Sequence, residues 1–511
     1  MKIFLKSLLS LCFLSIVISS VLVSPTLAQK VLTVAAATEV TSIDPHKISG
    51  AGDYQFFNHV FEGLYGHDNS GKLVPLLATS YKVSTDGKEY TFNLRPNVRF
   101  HNGERFSASD VRFSWQRSNS PEVKNPRAAI VTANLLDVEV VNDLTVRFKL
   151  KAPDASILEN LGEYFYIVSK ATLEKMGNDE FSRHPIGTGP FKFVSRKIKE
   201  VTELAAFSDY WGPKPKIDRL VMRIVTDPQT RVAMLRSGEV DAIANVPPQV
   251  AKQLDADKNV NVIVKSGFQN SFIVINVRAP HGQFTDPRVR QALNLAVDRK
   301  TLIDRVMFGF ASPVAALCNP AILGCDIGRE PYAFDPKKAR ALLEEAKFDF
   351  SRTYESIGLA PGRVSQSKET AEAVAFYLNR IGVKTKLEFI EYGAWLARIS
   401  AKEWDRLDLF WMGWTDYNND PMGRLPRSWR TNGALSYNND TKLDAMIDTA
   451  NVIVDPKERE AHLKKLFTYA YENPPSIFLW NYSEIYASRK GVRWDPRAYV
   501  SWPVFLVVDK D

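Results

Sequence analysis

Asp416-Tyr417-Asn418-Asn419-Asp420 puts oxygen-bearing side chains at alternate positions, the way a calcium-binding loop begins. The match goes no further, because Pro421 takes the place of the sharp-turn glycine and Arg427 the place of the closing bidentate glutamate, so calcium is rejected there. Gly187-Thr188-Gly189-Pro190-Phe191 offers a glycine-rich cradle for phosphate only if it opens a helix with free amides; Pro190 and the strand-like residues after it make it a structural turn instead. His46, His59, His67, His101, His184, His281 and His462 are scattered, with no pair at metal-ligand spacing, and each reads as a core or surface polar residue. GxxxxGK[ST], HExxH, GxSxG and CxxC are all missing. A hydrolase would need a nucleophile and a base that the chain does not display in local form.

Aromatic side chains are what the second half concentrates. Trp395, Trp404, Trp411, Trp414, Trp429, Trp480, Trp494 and Trp502 are eight of the ten tryptophans. A flat ring walls a pocket while tolerating varied side chains, although most such rings serve a core.

The elements that must position these residues change period along the chain. Tyr90, Phe92 and Leu94 alternate with Thr91, Asn93 and Arg95, and Leu144, Val146, Phe148 and Leu150 repeat the pattern after the Asn142-Asp143 turn, which predicts half-buried strands. Leu220–Ile224, Val260–Val264 and Phe272–Val277 are further strand candidates. Helical spacing takes over later. Asp286-Pro287, Asp335-Pro336 and Asp455-Pro456 each pair an N-cap with a proline at the first helical position, ahead of apolar residues such as Val289, Ala292, Leu293 and Ala296. Ala371, Val374, Ala375 and Leu378 mark another helix, ending at Ile381-Gly382 before a strand from Val383 to Leu387. Helix followed by strand indicates an α/β lobe.

The chain opens with Met1, Lys2 and Lys6, an apolar run from Leu8 to Val23, and Thr26-Leu27-Ala28 before Gln29, which predicts a cleaved signal peptide over residues 1–28 and export of the rest. Ser10, Ser15, Ser19 and Ser20 break the run, against a retained anchor, and Cys12 lies inside it rather than at a lipoprotein cleavage point. Removing 28 of the 511 residues leaves about 480, more than one core usually serves, so two or more lobes are expected. Losing Lys2 and Lys6 takes the formal charge from +8 to +6. Without a Lys/Arg block this is a solvated surface and not a nucleic-acid footprint, though it favours anionic ligands. Cys318 and Cys325 remain, with six residues between them, in a segment with Pro313, Pro320 and Gly324. In an oxidising compartment they are expected to form a disulfide that staples a loop, the alternative being two buried thiols.

Leu76-Leu77-Ala78-Thr79-Ser80-Tyr81, then Ser84-Thr85-Asp86-Gly87-Lys88-Glu89-Tyr90-Thr91-Phe92-Asn93-Leu94-Arg95, Val98-Arg99-Phe100-His101-Asn102-Gly103 and Phe106-Ser107-Ala108-Ser109-Asp110-Val111 strongly resemble the family 5 extracellular solute-binding proteins, the peptide, nickel and opine receptors of ABC importers. Phe61-Glu62-Gly63-Leu64, Pro185-Ile186-Gly187-Thr188-Gly189-Pro190-Phe191, Tyr210-Trp211-Gly212, Ser237-Gly238-Glu239-Val240-Asp241 and Asp286-Pro287-Arg288-Val289-Arg290-Gln291-Ala292-Leu293 extend the likeness across the chain.

That resemblance implies an α/β fold of periplasmic-binding-protein type II, cluster C: two lobes with a hinge plus an extra subdomain. On it, residues 29–67, 185–280 and 487–511 belong to lobe I, 68–184 to the extra subdomain and 281–486 to lobe II, with hinge crossings near residues 280 and 486. It further implies a periplasmic receptor, without a cofactor, that closes on a small ligand and delivers it to an ABC permease with its ATPase subunits, acting as a monomer. Peptide receptors of the family pair a ligand amine with an Asp after Gly-Trp, which Gly413-Trp414-Thr415-Asp416 resembles with one residue fewer before Asp416. They pair a ligand carboxylate with an Arg before a helix, which Arg363 resembles; its planar fork would hold a phosphate equally well. Trp414, then Trp395 and Trp429, are the wall candidates, and Tyr54 and His46 would face the cleft from lobe I. The expected cargo is a dipeptide, oligopeptide or opine. The alternatives are a nickel chelate, an exported hydrolase, or a chaperone-like or signalling receptor with the same closure.

Overall fold

The computed structural model describes residues 29–47, 52–360, 364–415, 420–496 and 508–510. The signal-peptide expectation over residues 1–28 falls outside these described residues, as do the expected binding residues Arg363 and Asp416.

Two long antiparallel strands, Val260–Ile275 and Ser476–Arg489, run through the middle of an eleven-stranded sheet. Beyond Ser476–Arg489 the order continues through Ala242–Ile243, Val31–Ala36, Arg219–Ile224, Val201–Ala206 and Phe191–Lys197. Beyond Val260–Ile275 it continues through Leu409–Thr415, Thr353–Leu359 and Lys384–Ile390. The expected run Val260–Val264 and the first four residues of the expected run Phe272–Val277 thus belong to one strand of 16 residues, Val260–Ile275, with register shifts between Ser266 and Asn270 and between Ser271 and Phe272. The cause of the first is local: at Gly267 the partner strand comes so near that an added Cβ would lie 2.6 Å from the Tyr482 carbonyl oxygen. Alternation is lost where the backbones meet, although pairing resumes beyond.

The first shift also divides the sheet. Val260 to Ser266 pair with Arg489 to Ser483, the part of the second strand that carries Ala242–Ile243, whereas Gln269 to Ile275 pair with Thr415 to Leu409. Each long strand therefore belongs to both halves of the molecule, which are the two lobes of a periplasmic-binding-protein type II fold joined at this hinge. The register break lies at Ser266 and Asn270, opposite Ser483 and Asn481.

In lobe II the aspartate-proline pairs act as helix starts. Asp286 caps Pro287–Leu295, Asp335 caps Pro336–Glu345 and Asp455 caps Pro456–Glu472, each side chain accepting a hydrogen bond from a backbone amide of the first turn. The helix Ser367–Arg380 connects Thr353–Leu359 to Lys384–Ile390, which pair in parallel, as such a crossover requires. The extra subdomain carries a four-stranded antiparallel sheet ordered Ala78–Val83, Glu89–Leu94, Thr145–Leu150, Leu135–Asn142, with Tyr90, Phe92, Leu94, Val146, Phe148 and Leu150 on its buried face.

Several family-like motifs converge on one buried carboxylate. Glu62 accepts hydrogen bonds from Thr188 Oγ1 at 2.9 Å, Tyr210 Oη at 2.8 Å and Trp211 Nε1 at 2.9 Å, so three separate motifs meet in lobe I. Burial pushes its carboxyl up to about 7 against these three donors, which favour the charged form. The glycine of the Gly187 turn is required by packing, since a Cβ there would lie 2.0 Å from the Val60 carbonyl oxygen. The turn is structural, as its sequence indicates. Cys318 and Cys325 form a disulfide with Cα atoms 5.8 Å apart.

Candidate cleft between the lobes

The parallel strands of lobe II end in a row at Leu359, Ile390 and Thr415, and beside them runs the hinge residue Gln269, paired with Thr415. A cavity of about 770 Å³ opens along this edge. It lies outside the carboxyl ends of parallel strands, the usual crevice of open α/β sheets, and within the ~300–1,000 Å³ typical of small-molecule sites. Thr38, after the first strand of lobe I, and Arg127, Ile130, Asn160 and Tyr164 of the extra subdomain form the opposite wall. Residues from all three parts of the molecule therefore face one space.

Aromatic rings make the lobe II wall. Trp411, Met412, Gly413, Trp414 and Thr415 come from the last strand and Tyr392, Trp395 and Leu396 from the helix Tyr392–Ser400. Tyr392 and Trp395 stack with ring centres 5.9 Å apart and planes at 18°, and Trp395 meets Phe410 edge-on at 6.4 Å. Trp411 donates its Nε1 proton to Ser271 Oγ at 2.9 Å, which fixes the ring against the hinge strand. The wall is rigid where it is buried, since Trp395 and Trp411 are 5% and 1% exposed.

Among the described lining residues the charge is one-sided. Arg127 and Arg427 both line the cavity, Arg127 with its guanidinium carbon 5.9 Å from the Tyr164 ring centre and Arg427 with its own 5.5 Å from the Trp414 ring centre. Among the described lining residues there is no carboxylate, and among the described residues no group of three or more His, Cys, Asp or Glu could hold a metal ion. The arrangement suits a small solute with anionic groups and an apolar or polar middle, held by rings, amides and cations.

Of the residues expected from sequence, Trp395 and Trp414 line the cavity. Trp429 is 1% exposed and packs behind it, edge-on to Phe467 at 6.0 Å. Tyr54 is buried and touches the lining residue Tyr164 edge-on at 6.4 Å. His46 is buried in lobe I, where Arg117 donates to its Nδ1 at 2.9 Å; its Nε2 therefore carries the proton and donates to the Tyr166 carbonyl at 3.0 Å. Burial, with the Arg117 charge, lowers its pKa to about 4 and keeps it neutral. Arg363 and Asp416 precede and follow the lining residues Val364 and Thr415 in the chain and lie outside the described residues. Arg127, Arg427, Tyr164, Tyr392 and Gln269 were not singled out from sequence; the arginines carry no motif, and only the fold brings them to one space.

Comparisons with known proteins agree with this fold. The model for bacterial extracellular solute-binding proteins, family 5 Middle, matches residues 72–436. The glutathione-binding protein GsiB of Pectobacterium atrosepticum is 30% identical over 480 residues, covering 91% of both chains. Among solved structures, the ABC transporter-associated periplasmic binding protein DppA from Helicobacter pylori, in complex with the peptide STSA, is 27% identical and superposes with a TM-score of 0.72, over 94% of this chain and 98% of that one. AgaA of A. tumefaciens R10, in complex with agropinic acid, is 26% identical with a TM-score of 0.71, over 94% of this chain and 99% of that one.

Proposed function

Because the chain belongs to the family 5 bacterial extracellular solute-binding proteins, we propose that it is exported to the periplasm, captures a di- or tripeptide-like solute between its lobes as a monomer, and delivers it to an ABC permease and its ATPase subunits. The observation that carries this reading is the aromatic-walled, cationic cavity of about 770 Å³ bounded by lobe I, the extra subdomain, the hinge and lobe II. A ligand lying there touches both lobes only when they close, so its binding energy favours the closed state by the contacts it gains on closure.

Within this reading, Trp395 and Trp414 pack against the ligand's middle, Arg363 takes a carboxylate and Asp416 an amine. Support for the last two comes from their likeness to family motifs and from their chain neighbours Val364 and Thr415, which line the cavity. Glutathione, a tripeptide-like thiol, is the first cargo to try, given the 30% identity to a glutathione-binding protein. Calorimetry with the mature chain against glutathione, di- and tripeptides, agropinic acid and nickel tests the proposal. A peptide or glutathione is expected to bind with one-to-one stoichiometry; binding of nickel alone, or of none of these, sinks it.

A further inference from the structure

From the two arginines that line the cavity, we infer that the cargo carries two carboxylates, one taken by Arg127 on the side of the extra subdomain and the other by Arg427 on lobe II. The inference rests on the receptor reading above and specifies its ligand; on it the two carboxylates go to Arg127 and Arg427 in place of the Arg363 contact of that reading.

Arg127 and Arg427 are alike in three respects. Each lines the cavity, each lies over the face of an aromatic ring, and neither has an ion-pair partner among the described residues. A ring under the guanidinium satisfies its face while leaving the N–H edge in the guanidinium plane free, the edge that grips a carboxylate bidentately. Most other arginines of the described chain are spoken for. Arg117 holds Asp44, Arg290 holds the Pro474, Phe284 and Thr285 carbonyls, and Arg299 holds the Phe478 and Asn294 carbonyls. Two cations in one cleft are costly to enclose when the lobes close and expel water, unless the ligand brings matching anions. A ligand with one carboxylate leaves one arginine desolvated and unpaired; a ligand with two satisfies both, and each lobe then holds one end.

The shared chemistry is a small solute with two separated carboxylates, whether a γ-linked tripeptide such as glutathione or an N-carboxyalkyl amino acid of the opine type. The two sources are distinguished by measurement. Calorimetry on the mature chain would compare glutathione with its glycine amide, and an N-carboxyethyl amino acid with its N-ethyl counterpart, each pair differing in one carboxylate. For at least one pair the diacid is expected to bind at least tenfold tighter than the monoacid. R127Q and R427Q should each abolish the preference for one of the two carboxylates, with unchanged circular dichroism and thermal midpoint, since neither side chain holds an ion pair among the described residues. Equal affinity of diacid and monoacid in every pair that binds overturns the inference and leaves the receptor reading standing, as does a preference that survives in both variants. Failure of every peptide and opine to bind overturns both.

Discussion

Arg427 holds its guanidinium carbon 5.5 Å from the centre of the Trp414 ring, so one wall of the cleft is both a flat apolar surface and a cation mount. Removing the ring takes away contact area and frees the arginine to wander into water. Trp414→Ala is expected to weaken ligand binding by tenfold or more, about 1.4 kcal/mol, while Trp414→Phe keeps most of the affinity because a smaller ring still supports both roles. Calorimetry on the two variants checks this; equal losses in both would show that the indole contributes something other than its face.

Trp395, Trp411 and Trp414 all line the cavity, so ligand capture should change the intrinsic fluorescence of the protein. Trp395→Phe, Trp411→Phe and Trp414→Phe together are expected to remove most of the ligand-induced change, because Trp429 and Trp480 are fully buried away from the lining. An undiminished change in the triple variant would place the ligand elsewhere.

Asp44 and Arg117 form a buried ion pair at 2.6 Å, with side chains almost wholly shielded. Burial alone would raise the Asp44 carboxyl, and the Arg117 hydrogen bond and charge outweigh it and hold the group below its usual range. Arg117→Met leaves that carboxylate and His46 without their shared donor, and is expected to cost about 3–5 kcal/mol in denaturant unfolding. Ligand affinity of the folded variant should stay at the parental value, since neither Asp44 nor Arg117 lines the cavity.

What the sequence discloses follows from how local the chemistry is. The Asp-Pro helix starts at residues 286, 335 and 455 were legible because a cap acts within its own first turn. Glu62 belonged to a recognisable motif, yet its role as the acceptor for Thr188, Tyr210 and Trp211 exists only after distant segments pack. Arg127 and Arg427 were illegible for the same reason, since a free surface arginine and a cavity arginine look alike in one dimension. His46 and Trp429 show the converse: residue types suited to a site are also suited to a core, and only the fold decides which face they take. The long hinge strand was read as two because Gly267 interrupts the alternation by which a strand is recognised.

His67 is buried between Glu159, 2.7 Å from its Nε2, and Glu163, 3.6 Å from its Nδ1. Burial would lower its pKa, but the hydrogen bonds and charges of the two glutamates outweigh it and raise it to about 9. A histidine that holds its proton more tightly when folded adds stability in full below its unfolded value near 6.5, and loses it as pH rises through about 9. Denaturant unfolding at a series of pH values should therefore show stability falling across that window, and His67→Gln should flatten the fall. An unchanged slope in the variant would assign the dependence to other groups.

The disulfide closes a short loop that rests on the hinge. Asn319, inside the loop, donates to Ser266 Oγ at 2.9 Å and to the Gly267 carbonyl at 2.8 Å, at the place where the register of the long strand shifts. Cross-linking so short a loop stabilises by about 2.5 kcal/mol in the chain-entropy picture. Cys318 and Cys325 are 1% and 3% exposed, so reductant should act slowly on the native protein and fully only once it unfolds. Thermal unfolding with dithiothreitol is expected to occur at lower temperature than without, and a Cys318→Ala, Cys325→Ala variant should match the reduced protein and no longer respond to reductant. If the variant unfolds with the oxidised parent, the loop is held by Asn319 and its packing, and the sulfur bridge adds nothing to the hinge.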